Sequence, residues 1–506
     1  MNAAARLDAL FAAADTALAR RWVWAFATGL LLAWQAWLIF AHEPWADELQ
    51  ALLLAQQAPD LQILAQWLRY EGHPWLWYGF LRLLGGVVEQ SYVLPAAALI
   101  CAAIVQGGIL FASPFTRAER LLLASSHYVM FEFLTISRGT SLGAALLVLA
   151  MLSWRKRWFW LVMALLPSVD FLFGVVSGVL LILQWRMRNL WWPGMVLWLV
   201  GAAIAAWSII PAPDMVSAFD ALVPLSGQPT FIESATGWLR KMGSMPLPFQ
   251  GGIAPQWNSP VWPIESVGWI AMIALCWMLT RGYVWHRLLI FGFFGFTLVM
   301  SLAIYPIGLR HLMLGAFLLL LLVWLQKADA PEDKPTSSGW LRYWLIALAI
   351  CGIASSTIST TRGFDAAPAA IAKIEELGLE NKHWIMLPEW RSAAIAARSD
   401  IAFGRPEGAC QFTFARWDYA YSALASNEKM REFLQNEIAQ HGRSYLISDM
   451  SFTGFPEETI APLAQIPAGY DGIDYILYVI GKDAPERTVN LPPCHGQNYS
   501  EISSNP

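Results

Sequence analysis

Apolar residues dominate the first part of the chain in long runs with few interruptions. A helix needs about 20 apolar residues to cross a bilayer. Runs that meet or approach this length fall at 22–41, 92–113, 121–137, 140–154, 190–210, 262–280, 286–305, 308–326 and 340–358. The stretch 158–185 is too long for one span and carries Pro167 and Asp170 near its middle, so it predicts two short helices in a hairpin. The pattern therefore predicts a polytopic α-helical membrane protein with about eleven transmembrane helices. From about residue 362 the pattern changes. Residues 365–377 and 427–441 have helical character, whereas 383–387, 444–450 and 474–480 are β-branched and aromatic. That alternation predicts a C-terminal soluble α/β domain.

Charge gives the predicted orientation. With the N-terminus inside, the cytoplasmic loops hold Arg117 and Arg120, then Arg155, Lys156 and Arg157, then Arg186 and Arg188, then Arg281 and Arg287, then Lys327 and Lys334. This agrees with the excess of basic residues that cytoplasmic loops carry. Residues 73–88 are apolar but short, and Arg82 interrupts them. Counting them as a span would invert every later loop, so they read as a helix in the outer interface, with Trp75, Trp77 and Tyr78 at headgroup depth. The expected organisation is a cytoplasmic segment 1–21, a transmembrane region 22–358 with outer loops 42–91 and 211–261, and an extracytoplasmic domain 359–506. The first 19 residues, broken by Arg6, Asp8 and Asp15, read as an amphipathic lead-in rather than a cleavable signal. In the first outer loop, 47–57 and 61–70 are amphipathic. The second is rich in Pro and Gly and reads as irregular.

Composition supports the membrane assignment. Hydrophobic residues make up 57% of the chain and charged ones 14%, against about 25% charged in soluble domains. The net charge of -4 gives no footprint for nucleic acid. Neither a GxGxxG nor a GxxxxGK[ST] stretch is present, which removes the usual nucleotide cradles. Cys101, Cys276 and Cys351 lie in apolar spans, whereas Cys410 and Cys494 lie in the tail, where pairing is open because sequence does not place their Cα atoms.

The residues that can carry chemistry sit at predicted outer ends of spans. Asp47 and Glu48 follow the first span. They suit the positive end of a helix dipole, or one acts as a general base. Arg138 and Arg310, the latter followed by His311, run against the charge bias that puts other basic residues inside. Headgroup contact is the plain reading, and phosphate ligation the functional one. His73 before Pro74 reads equally as a cap or as a phosphate or metal contact. Glu132 pairs with Arg138 or supports the site, and Asp170 is a turn residue or a pocket residue. Transport or lipid flipping is the rival function. The spans carry few ionisable residues, however, and the halves show no clear repeat.

The order of these features resembles the GT-C glycosyltransferases: Asp47-Glu48 after the first span, His73-Pro74-Trp75-Leu76-Trp77-Tyr78, an outer Arg138 opening a span, and a late outer Arg310-His311. The nearest group is family 39 and its relatives, which include protein O-mannosyltransferases and the lipid A aminoarabinose transferase. The likeness covers roughly residues 22–326. Trp75 stands where the family often has a second Pro, and Thr140 where it often has Tyr. The tail is unlike that of the protein O-mannosyltransferases. The resemblance implies a polyprenyl-phosphate-linked sugar as donor, a glycan, lipid or protein as acceptor, and a site at the outer face of the cytoplasmic (inner) membrane of the cell envelope. It implies Asp47 as base with Glu48 beside it, and Arg138, Arg310, His73 and His311 toward the donor phosphate. A divalent metal ion stays open, with Asp47, Glu48 and His73 as ligands of the right type. Acidic and cationic groups are expected to share one cavity.

Overall fold

A computed structural model describes residues 3–215, 230–249, 264–304, 307–329, 339–406, 410–418 and 427–494. Two compact units emerge. One is built from 1–42, 95–207 and 229–361, and the other from 43–94, 208–228 and 362–506. The first outer loop thus belongs to the same unit as the C-terminal domain.

The first unit is helical. Five helices are long and apolar enough to cross a membrane: Arg21–Ala41, Gln90–Ala112, Val284–Ala303, Leu309–Asp329 and Gly339–Thr361. Of the most apolar window of Leu309–Asp329, 89% is buried, against 22% for Arg21–Ala41, so the former is the central helix and the latter peripheral. This follows from sequence: a helix apolar on every side is a core helix. The outward side chains of Arg21–Ala41 (Trp22, Phe26, Leu30 and Phe40) suit acyl chains. Shorter apolar helices are Gly139–Leu152, Phe159–Ser168, Phe171–Arg186, Trp192–Ser208 and Ile264–Leu279. The 158–185 stretch divides as its Pro and Asp foretell, with Asp170 accepting the Leu172 N–H at 2.8 Å to cap the second helix.

Two expectations need correction. Residues 121–137 form no continuous span. The α-helix Arg117–Ala124 stops at Ser125, and a π-helical turn, His127–Phe133, follows with Ser126 capping Val129. Serine hydroxyls compete with the backbone ladder and end the helix. The segment 211–261 is not wholly irregular, because Phe231–Ser244 is a helix whose start is a capping box between Thr230 and Glu233. It packs tightly on Ile264–Leu279. A Cβ at Gly243 would lie 1.9 Å from the Glu265 carbonyl oxygen, and one at Gly268 equally close to that of Gly243. Only glycines allow that backbone approach. The rest of 216–229 and 250–261 lies outside the described residues.

Charged pairs tie together helix ends that the sequence places on one side. Glu119, fully buried, receives Lys327 at 3.0 Å and Arg342 at 3.2 Å, and Arg342 also meets Asp8 at 2.5 Å. Arg155 meets Asp329 at 2.5 Å. The N-terminal helix Ala3–Leu18 adds Leu7 and Phe11 against Ala118.

The second unit holds a six-stranded sheet of β1 (Trp384–Leu387), β2 (Phe403–Gly404), β3 (Gln411–Phe412), β4 (Ser444–Ser448), β5 (Ile460–Ile466) and β6 (Tyr475–Ile480). Their order is β3-β2-β1-β4-β6-β5. β1 runs parallel to β2 and β4, and the remaining pairs are antiparallel. The central strands are buried along their whole length, as covered parallel strands must be. Helix Asn427–His441 covers one face through Met430, Phe433 and Leu434. Cys410 and Cys494 form a disulfide.

Helices Ala46–Gln57, Leu61–Leu68 and Leu76–Gly85 from 43–94 join this unit. Glu43 accepts the Phe364 N–H at 2.7 Å, and Gln57 accepts the Thr413 hydroxyl at 2.8 Å. Leu76–Gly85 has ten residues, about 15 Å of helix and too short to span about 30 Å. Its Arg82 donates to the carbonyls of Ala55 and Ala58 at 3.0 and 2.5 Å, capping the C-terminal end of helix Ala46–Gln57.

Candidate functional site

In the second unit the site begins at helix Ala46–Gln57. Pro44 halts the incoming chain, and Glu48 then accepts the Trp45 N–H at 3.2 Å. Glu48 is fully buried, so its carboxylate serves its own helix start, the plainer of its two readings. Asp47, beside it, is partly exposed. Gln50, one turn on, shares its face. The Gln50 amide donates to Glu71 Oε1 at 2.8 Å and to the Ala415 carbonyl at 2.8 Å, and its oxygen accepts the Ala415 N–H at 3.1 Å. One side chain thereby fixes a loop carboxylate and an irregular segment of the tail.

Glu71 belongs to the turn Glu71-Gly72-His73-Pro74. Gly72 takes φ +67 there, a conformation that suits glycine. The turn brings the Glu71 carboxyl within electrostatic reach of Asp47 and His73, and the buried Tyr78 hydroxyl bonds to it. Burial, foremost, pushes this carboxyl up to about 7. Asp47 raises it further, while Gln50, His73 and Tyr78 oppose the rise. Near neutrality Glu71 thus holds or yields a proton beside Asp47.

The adjoining groups anchor this turn. Tyr70 donates to Asp214 at 2.6 Å and accepts from Arg416, whose guanidinium lies 3.9 Å over the Tyr70 ring. Arg405 meets Asp418 at 2.6 Å and Glu389 at 3.3 Å. A cleft of this unit, about 870 Å³, opens elsewhere. Leu49, Leu52, Glu89 and Arg398 help to line it, whereas Asp47, Glu71 and His73 do not.

The first unit gathers a second set. Glu132, on the π-helical turn and buried, lies within electrostatic reach of both Arg138 and Arg310. Arg138 opens helix Gly139–Leu152, its N–H donating to Ser141 at 3.3 Å. Arg310 lies in the first turn of the central helix Leu309–Asp329. Two guanidiniums around one carboxylate leave a positive balance suited to an anion. His311 Nδ1 accepts the Gly308 N–H at 3.1 Å, which directs its other ring nitrogen away from the backbone. Asp170 is used as a helix cap.

The predicted residues therefore fall into two groups, Asp47 with His73 and Glu132 with Arg138 and Arg310. Asp47, Glu48 and His73 do not bring ligand atoms to the spacing of one ion. Among the described residues that spacing is met by His383, Glu437 and His441. Sequence reasoning missed Gln50 and Glu71. The available signal was Glu71 directly before Gly72-His73-Pro74. No known family model, curated protein or solved structure matches the chain.

Proposed function

We propose that the chain is a membrane glycosyltransferase of the GT-C kind. It moves a sugar from a polyprenyl-phosphate donor to an acceptor hydroxyl or amine at the outer face of the cytoplasmic membrane. The reading counts the shorter apolar helices as spans, together with the broken 121–137 segment as one crossing, about eleven in all, and puts the C-terminal domain outside.

The observation that carries it is the pair of carboxyls, Asp47 and Glu71, set in unlike surroundings beside His73. Two neighbouring carboxyls resist ionising together. Burial pushes Glu71 up to about 7, so it titrates near neutrality, and the partly exposed Asp47 is assigned as the base. The acceptor oxygen or nitrogen attacks the anomeric carbon as its proton passes to Asp47. The bond from that carbon to the phosphate oxygen breaks, and polyprenyl phosphate leaves with the electron pair. The configuration inverts, and no sugar–enzyme bond forms. Arg138 and Arg310 are the groups suited to the departing phosphate charge, with Glu132 holding them in place.

The test uses full-length protein in proteoliposomes with labelled polyprenyl-phosphate sugars and envelope acceptors. Asp47→Asn abolishes transfer without lowering expression, and Arg310→Ala raises the donor KM. Wild-type turnover by Asp47→Asn overturns the assignment. Substrate accumulating in the lumen without a new glycosidic bond identifies a transporter instead.

A further inference from the structure

A separate constellation lies in the C-terminal sheet domain. Helix Asn427–His441 faces the sheet through Met430, Phe433 and Leu434. One turn further along the same face stands Glu437, only 8% exposed, and one more turn brings His441. The helix period reserves the Glu437 position for an apolar side chain. A carboxylate there is costly unless strongly partnered.

Its partners are specific. His383, the residue before β1, places Nε2 3.1 Å from Glu437 Oε1. Ser444, the first residue of β4, donates its hydroxyl to the same oxygen at 2.8 Å. The His383 and His441 rings lie 5.0 Å apart, centroid to centroid. One ligand atom from each of the three residues lies within 4.8 Å of the others. His383 fits because β2 offers Gly404 beside it: a Cβ there would come within 2.3 Å of the imidazole Cε1.

We infer that His383, Glu437 and His441 form a binding site for a divalent transition-metal ion of the zinc class, with solvent as a further ligand. Two imidazoles and one carboxylate are a common zinc set, with metal–ligand distances of about 2.0–2.2 Å. Two ligands of one tetrahedral ion then stand roughly 3.3 Å apart. The His383–Glu437 pair has that spacing already. His441, at the half-exposed end of its helix, needs to close by roughly 1.5 Å at most. Ser444 acts as the outer partner that orients a ligating carboxylate. The imidazoles select against magnesium and calcium, which prefer oxygen. A bare His383–Glu437 ion pair would leave His441 without a role. The site joins the starts of β1 and β4 to the helix that covers them, and so ties the domain together independently of any transfer chemistry.

The experiment uses the full-length protein, purified with a histidine-free tag, stripped with a chelator and titrated with zinc and then cobalt. Wild type is expected to bind one equivalent, and its cobalt form to show the visible bands of a four-coordinate site. Ser444→Ala should weaken binding about 10–100-fold, as loss of an outer-shell partner does, and His441→Ala at least as much. With chelator present, wild type and His441→Ala should melt together, and added zinc should raise the wild type alone. His441→Asn repeats the test if the alanine variant fails to fold. Absence of saturable zinc binding by wild type overturns the inference, as does equal binding or equal thermal response by the variants.

Discussion

Glu71→Gln is the most informative single change outside the proposed base. The carboxyl moves from an ordinary value of 4.5 to about 7 in the folded chain. At roughly 1.4 kcal/mol per pH unit, that difference corresponds to about 3 kcal/mol of pH-dependent stability. The sign follows from proton counting. Between the two values the folded state binds more protons than the unfolded one, so stability falls as pH rises. This contribution is fully present below about 4.5 and is lost as pH passes about 7. Glutamine copies the protonated form and still accepts from Gln50, so it should remove most of that slope. Near pH 5 the variant and wild type should unfold alike, and near pH 8 the variant should be the more stable by up to about 3 kcal/mol. Denaturant unfolding of the detergent-solubilised chain at stepped pH measures the gap. Infrared difference spectra supply an independent reading, a protonated carboxyl band that titrates near pH 7 and vanishes in Glu71→Gln. A gap that stays constant with pH, with no titrating band, refutes the reasoning.

Other changes probe the framework. Gln50→Ala strips partners from both backbone groups of Ala415 and from Glu71. A loss of about 1–3 kcal/mol follows from each buried group left unmade, and faster amide exchange near 415 should accompany it. Replacing Cys410 and Cys494 by serine opens a cross-link spanning 84 residues. Chain entropy sets its contribution at about 4–5 kcal/mol, so the midpoint should fall and become insensitive to reductant. Lys327→Met removes one of the two basic side chains that meet the buried Glu119 and leaves Arg342 in place. Breaking a buried pair costs about 3–5 kcal/mol, visible as a lower melting temperature than Arg155→Met, whose pair is exposed. Gly243→Ala drives a methyl into the Glu265 carbonyl and should reduce the folded yield, whereas Gly237→Ala, with open space around it, should not.

The long apolar helices and the 158–185 break were legible because periodicity, length and Pro167 are local signals. The tail strands at 384, 444 and 475 were legible through their β-branched runs. Helix Phe231–Ser244 was overlooked although Thr230 and Glu233 spell a capping box, because the Pro and Gly around it dominated the reading. β5 escaped notice as an exposed edge strand that carries Pro462. The break inside 121–137 follows from Ser125 and Ser126, polar residues too few to interrupt a hydropathy window. Asp47 and the two arginines stood out by type and place. Gln50 and Glu71 did not, since the bond from Gln50 to Ala415 crosses 365 positions, and long-range pairing leaves no trace in a window of neighbours.

The sheet unit draws on three stretches of chain that translation delivers at widely separated times. Helix Ala46–Gln57 emerges first, and Thr413 and Ala415, which pair with Gln57 and Gln50, follow 356 and 365 positions later. Until then its amide-bearing face stays unsatisfied, open to chaperones and proteases. Removing residues 362–506 would therefore do more than delete a domain. It would strand the Asp47 helix in its nascent condition, and any loss of function that resulted would say nothing about a separate role for the tail.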